Sequence, residues 1–265
     1  NATETLLERN LEAGRGEHPA IVWEGEDGAV REVSYAALAR DVTRAAAGLS
    51  GLGLKSGEVV GLYMPMVPET AVAFLALARL GCIVLPLFSG FGAEALATRM
   101  RQGGAVACIT ADGCLRRGRA VAMKAVVDEA ARELPALSRV VTVRRLGPDR
   151  LPPPPPTGRD VDWEAMLAAA PEGGQASELD AEAPLLIVYT SGTTGLPKGT
   201  VHTHCGFLAK TGEDWLLCFD LRPSDRVLWM TDIGWLVGPI QIAASLLAGA
   251  TLVLAEGTPD YPDSG

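Results

Sequence analysis

The sequence predicts an α/β fold built as two layered α/β subdomains with largely parallel sheets, and three observations predict it. Short aliphatic runs of strand length alternate with amphipathic stretches of helical spacing from residue 34 to residue 254. Glycines stand between helix ends and the strands that follow, as at Gly81 and Gly249. The strand candidates are continuous apolar runs, the pattern of strands covered on both faces.

Ser34 is placed to cap a helix whose apolar positions Tyr35, Leu38, Val42, Ala45, Ala46 and Leu49 share one face, closing at Gly51. Residues 59–64 read as a buried strand stopped by Pro65. Pro68 and Glu69 suit the first turn of a helix reaching Leu80, and Gly81 ends it before the strand Cys82-Ile83-Val84-Leu85. Helix 94–101, strand 105–109, helix 120–133 and strand 139–143 continue the alternation. Five consecutive prolines (152–156), Gly173-Gly174 and several acids then mark 147–183 as a surface excursion. It divides a first subdomain, 1–146, from the start of a second, 184–265. The second repeats the grammar with strand 185–189, a glycine-rich loop, helix 205–217, strand 226–230, helix 238–247 and strand 251–254. The helix-glycine-strand phrase of 78–85 recurs at 246–254, a weak repeat because any α/β chain reuses it.

With 265 residues, 48% hydrophobic and 21% charged, the chain is large enough for a substantial core and is not disordered. Lys and Arg number 23 against 32 Asp and Glu, a net charge of −9, so no overall basic field draws nucleic acid or anionic lipid. A polyanion must be held by a local site. Five cysteines (Cys82, Cys108, Cys114, Cys205, Cys218) form no CxxC pair, which points to reduced thiols in a cytoplasm. Asn1-Ala2-Thr3-Glu4-Thr5 has no signal-peptide character. The most apolar stretch, 71–88, is broken by Arg79, Gly81 and Pro86 and falls short of the roughly 20 apolar residues of a membrane span. The expected partners are small molecules, with neither nucleic acid nor membrane among them.

The segment that carries chemistry is Thr190-Ser191-Gly192-Thr193-Thr194-Gly195-Leu196-Pro197-Lys198-Gly199. Directly after a strand it gathers four hydroxyls, three glycines and a lysine in ten positions. Glycines let backbone N–H groups approach an oxyanion, hydroxyls add donors, and lysine adds a mobile charge, which together suit a polyphosphate. Pro197 stands where a P-loop would need its second glycine, which disfavours a Walker-type NTPase. His202-Thr203-His204-Cys205 lacks a second ligand pair at zinc spacing, so no metal site is expected. Gly51-Leu52-Gly53 follows a helix and lacks the third glycine of a dinucleotide loop. A Gly-x-Ser-x-Gly elbow is absent, and three histidines leave a Ser/His hydrolase few candidates.

Residues 190–199 resemble the phosphate-loop signature of the adenylate-forming superfamily, which includes acyl-CoA synthetases, luciferase-like enzymes and adenylation domains. Gly61-Leu-Tyr-Met-Pro-Met-Val-Pro-Glu69, Ile109-Thr-Ala-Asp-Gly113 and Thr231-Asp-Ile-Gly-Trp-Leu-Val-Gly238 resemble segments of its acetyl-CoA and propionyl-CoA synthetase branch. The resemblance implies activation of a short carboxylic acid by ATP to an acyl-adenylate, then transfer to CoA. It implies that Thr190, Ser191, Gly192, Thr193, Thr194, Gly195 and Lys198 cradle the ATP phosphates. Arg116 and Arg119 match arginines near the phosphorylated nucleotide end of CoA; read from the residues alone, they also fit a solvated basic turn. Ser89 and Gly90 match a glycine turn on the CoA path. Trp235, Leu236 and Val237 match the acyl-pocket wall, where an indole shortens a pocket and aliphatics make it apolar. Val237 and Pro239 replace a Thr and a His common in that branch, which leaves the acid open. The Mg²⁺ ligand, the ribose aspartate, the hinge and the catalytic lysine of the family are expected beyond residue 265, making this chain an N-terminal fragment not competent alone. The alternatives are another adenylate-forming activity, on an aryl or amino acid, or a non-catalytic nucleotide- or CoA-binding module.

Overall fold

A computed structural model describes residues 1–190 and 197–261. A helical turn at Glu4–Glu8 runs into α1 (Arg9–Glu12), followed by the hairpin of β1 (Pro19–Glu24) and β2 (Val30–Ser34). The Ser34 hydroxyl accepts from Ala37 N at 3.2 Å and caps α2 (Tyr35–Gly51), whose buried face includes Tyr35, Leu38, Val42, Ala45, Ala46 and Leu49. Next come β3 (Val59–Tyr63), α3 (Pro68–Leu80), β4 (Ile83–Pro86), α4 (Ala93–Gly103) and β5 (Ala105–Ala111). A small hairpin of β6 (Cys114–Arg116) and β7 (Arg119–Val121) precedes α5 (Met123–Ala131) and β8 (Arg139–Val143). The proline-rich stretch leads to β9 (Asp160–Asp162) and α6 (Trp163–Ala168). The described chain continues through β10 (Pro184–Thr190), β11 (Lys198–Thr203), α7 (His204–Gly212) with a π-helical extension at Glu213–Cys218, β12 (Arg226–Leu228), α8 (Val237–Ala248) and β13 (Thr251–Ala255).

The strands form two main sheets. The larger has the order β11-β10-β4-β3-β5-β8-β9, parallel except for β11, which pairs antiparallel with β10. The smaller has the order β12-β13-β1-β2, parallel except for β2. The fold is therefore α/β with mostly parallel sheets, and strands from both sides of residues 147–183 share each sheet. α3 is buried on nearly all sides, which its near-continuous apolar sequence demands. Gly81 and Gly249, the glycines of the repeated phrase, both cap helices in the left-handed region at φ 74°. The phrase nevertheless feeds different sheets: β4 is central in the large one and β13 lies in the small one.

Several elements differ from the sequence expectation: β6 is additional, β7 takes the start of the helix expected over 120–133, and β9 and α6 form within the stretch expected to be a surface excursion. β1 and β2 were not expected, and neither was β11, which occupies residues read as loop and helix approach. In β11 the β-branched Thr200, Val201 and Thr203 suit an edge strand whose side chains are mostly exposed. The strand expected at 226–230 stops at Leu228, leaving Trp229 and Met230 exposed.

Candidate functional site

Parallel strands of an open α/β sheet deliver their following loops to one edge, where ligands bind. β10 and β4 are neighbours in parallel, so the carboxyl end of β10 at Thr190 lies on the same sheet edge as the loop after β4. Thr190, the last residue of β10, stands opposite Lys198, the first of β11, and both are exposed. The glycine-rich segment is thus the connection of an antiparallel hairpin closed by this pair. Ser191, Gly192, Thr193, Thr194 and Gly195 lie outside the described residues.

The loop after β4 carries Ser89 and Gly90. Ser89 is buried, and Asp232 holds it: the Asp232 carboxylate accepts from Ser89 N at 3.2 Å, from Ser89 Oγ at 2.5 Å and from Gly234 N at 2.8 Å. Ser89 Oγ in turn accepts from Arg116 Nη2 at 3.0 Å. The Tyr63 hydroxyl, at the end of β3, reaches the carbonyls of Ser89 and Phe91 at 3.0 Å each. A Cβ at Gly234 would collide with the backbone of Leu87 and Phe88, so only glycine permits this approach of the two loops. Burial pushes the Asp232 carboxyl above the ordinary carboxylate range, opposed by its hydrogen bonds from Ser89 and Gly234 and by the Arg116 charge. A cleft of about 50 Å³ lies here, lined by residues that include Ser89, Cys114, Arg116 and Asp232. The Cys114 thiol is pushed up to about 11 by burial and stays protonated at neutral pH.

Arg116 and Arg119 face each other across the β6–β7 hairpin, Arg116 half-buried and Arg119 exposed. Trp235 is 53% exposed and packs against Phe88 at 5.6 Å between ring centroids, while Leu236 leans on the main core and Val237 opens α8. The structure therefore joins Ser89 and Arg116 directly and brings Trp235 beside them through Phe88. Arg119 takes no part in the cleft lining. A larger cavity, about 360 Å³, lies near β9, at the opposite end of the sheet order from β10 and β11, lined by prolines 152–154 and 156 and by charged side chains that include Lys124, Arg144 and Asp160.

In the sequence Tyr63 lies in a family-like motif without a role of its own, and Asp232 and Gly234 lie in the segment expected to line the acyl pocket; the tie to Ser89 is visible only in the structure. The Asp-x-Gly spelling is an Asx-turn signal, and the central strand ending in a buried tyrosine required a hydroxyl partner. Glu26, which holds the β6–β7 turn, carries no local signal at all. Among the described residues no three His, Cys, Asp or Glu side chains converge as a metal site, and no helix is long and apolar enough to cross a membrane.

Comparison with known proteins bears on the same residues. A family model described as AMP-binding enzyme matches residues 7–265. The acetyl-coenzyme A synthetase of Deinococcus radiodurans is 44% identical over 268 residues, covering 100% of this chain and 41% of that protein. The acetyl-coenzyme A synthetase of Streptomyces coelicolor is 43% identical, covering 100% and 41%. Among solved structures, acetoacetyl-CoA synthetase from Streptomyces lividans superposes with a TM-score of 0.90 at 33% identity, covering 100% of this chain and 39% of that one. The chain thus spans about two fifths of the length of these relatives. A match over nearly every residue, together with a shared fold at 33% identity, means that this chain belongs to the AMP-binding enzyme family.

Proposed function

We propose that this chain serves, within its whole protein, the ATP-dependent activation of a short carboxylic acid to an acyl-adenylate and the transfer of the acyl group to CoA. The observation that carries this reading is the parallel pairing of β4 with β10, which sets Thr190, the end of the strand before the hydroxyl-, glycine- and lysine-rich sequence, on the same sheet edge as the Ser89 loop tied to Arg116. In this reading Thr190, Ser191, Gly192, Thr193, Thr194, Gly195 and Lys198 hold the departing polyphosphate. Charge placed there stabilises pyrophosphate as the carboxylate attacks the α-phosphorus. Magnesium accompanies the nucleotide. Arg116, which donates to Ser89, and Arg119 across the hairpin receive a phosphate of CoA, with Ser89 and Gly90 on its path; a guanidinium fork suits that group. Trp235, Leu236 and Val237 bound the acyl pocket. The acetyl- and acetoacetyl-CoA synthetases among its relatives support a small acid.

Acid-dependent ATP–pyrophosphate exchange by the intact protein, across acetate, propionate, butyrate, acetoacetate and an aryl acid, tests this. Exchange with a short aliphatic acid is expected; exchange with the aryl acid alone would overturn the pocket assignment. Lys198→Ala should slow exchange about a hundredfold while thioester formation from supplied acyl-adenylate changes little. Equal loss in both half-reactions would remove Lys198 from the adenylation step.

A further inference from the structure

The β6–β7 hairpin does not hold its own shape. Each strand has three residues, and a lone two-stranded ribbon of that length is unstable in water. Arg116 and Arg119 stand directly opposite each other, where like charges repel. Both turn residues lie in the left-handed region, Arg117 at φ 51° and Gly118 at φ 71°, and an arginine resists that conformation.

Glu26, in the turn between β1 and β2, supplies what the hairpin lacks. One carboxylate oxygen accepts from Arg117 N at 2.9 Å and the other from Gly118 N at 2.6 Å. A Cβ at Gly257 would lie 2.5 Å from Glu26 Oε2, so Gly257 leaves room for the carboxylate. The clasp acts on the backbone, leaving the guanidinium groups free. Among the described residues neither guanidinium is in an ion pair: Arg116 donates to the Ser89 hydroxyl, with the Asp232 carboxylate one hydrogen bond further on, and Arg119 has no acidic partner.

We infer that Glu26 is a positioning residue: by clasping the two turn amides it overcomes the Arg116–Arg119 repulsion and sets the pair to receive one phosphate, the 3′-phosphate of CoA. This rests on the proposed role of the two arginines. The sign of the effect separates positioning from charge. Neutralising an acid beside a phosphate site strengthens phosphate binding if Coulomb attraction alone acts, so weaker binding is the signature of positioning.

The test compares KM for CoA and for 3′-dephospho-CoA in the thioester-forming step, with ATP–pyrophosphate exchange measured alongside, in the intact protein carrying Glu26→Gln or Arg116→Ala. Glu26→Gln should raise KM for CoA about tenfold, leave that for 3′-dephospho-CoA nearly unchanged and leave exchange unaltered. Unchanged or lower KM for CoA, or equal weakening of both thiols, would overturn the inference. Arg116→Ala tests the underlying reading: if it leaves the preference for CoA over 3′-dephospho-CoA intact, the arginine assignment fails. Loss of preference in Arg116→Ala but not in Glu26→Gln would overturn the positioning role alone. Should Glu26→Gln fail to accumulate, Glu26→Asp, which withdraws the carboxylate by one methylene, should show the same selective rise, smaller in size.

Discussion

Two antiparallel hairpins carry the groups proposed to meet phosphates, and they are built in different ways. The β10–β11 hairpin has six registered pairs and forms the edge of a seven-stranded sheet, so the ladder itself fixes where Thr190 and Lys198 stand. The β6–β7 hairpin has three registered pairs and belongs to neither large sheet, and acids from elsewhere fix it. Glu26 takes its turn amides, and Asp260 pairs with Arg117 at 2.6 Å. Where the backbone ladder sets a site, an exposed functional side chain can change without structural cost. Where distant acids set it, function and stability share residues.

The largest effect expected from that difference is at Arg145, just beyond β8. Its guanidinium, 13% exposed, donates to Glu256 Oε2 at 2.6 and 2.9 Å, reaches Asp27 at 3.3 Å and lies over Trp23 at 5.0 Å. Glu256 is 2% exposed and follows β13, so the pair ties the ends of the two sheets beside the glycine that seats Glu26. Arg145→Met leaves a buried, uncompensated carboxylate and should cost about 4 kcal/mol in guanidinium unfolding. Lys198→Met, in the other hairpin, should leave the midpoint where it is. Burial already holds the Glu256 carboxyl above its ordinary range. Without Arg145 it rises further, so the folded variant binds a proton that the unfolded chain releases. The variant's deficit should therefore shrink as pH falls from 8 toward 5. A deficit below about 1 kcal/mol at pH 8 would break the comparison.

The ladder-built side has a titratable group of its own. His204, at the start of α7 just after β11, is buried, its Nδ1 accepts from Ala2 N at 3.3 Å, and burial lowers its pKa to about 4. The unfolded chain binds this proton near 6.5 and the folded chain only near 4, so the stabilisation is complete above 6.5 and is lost as pH falls toward 4. The loss amounts to about 3 kcal/mol. The difference in unfolding free energy between the natural chain and His204→Leu, followed from pH 7 to 4, should narrow by that amount. A constant difference would mean that His204 titrates alike in both states.

The same contrast explains what could be read in the sequence. The helices α2, α3 and α8, with their caps at Ser34, Gly81 and Gly249, follow local rules of spacing and capping, and they stand where those rules put them. The 190–199 segment was legible as a family signature because its residues are contiguous. Glu26, Asp232 and Tyr63 were not, because each acts on a residue far along the chain, through contacts only the sheet order creates. β11 was obscured for another reason: the glycine-rich motif drew residues 198–203 into a loop reading, although Thr200, Val201 and Thr203 have strand propensity.

The smallest effect sharpens the comparison most, because it separates the turn's backbone from its side chain. Arg117→Gly removes an ion pair whose partners are 63% and 50% exposed, worth at most about 1 kcal/mol. It also relieves a non-glycine residue at φ 51°, a gain of about 1 kcal/mol that the freer unfolded chain partly offsets. Stability should change by less than about 0.5 kcal/mol, whereas Arg117→Ala, which keeps the strain and loses the pair, should lose about 0.5 kcal/mol. Neither substitution deletes the amide that Glu26 clasps. Both variants should keep the full preference for CoA over 3′-dephospho-CoA in the thioester-forming assay. Loss of that preference in Arg117→Gly with stability unchanged would move the positioning role from the Glu26 carboxylate to the Arg117 side chain and its partner Asp260.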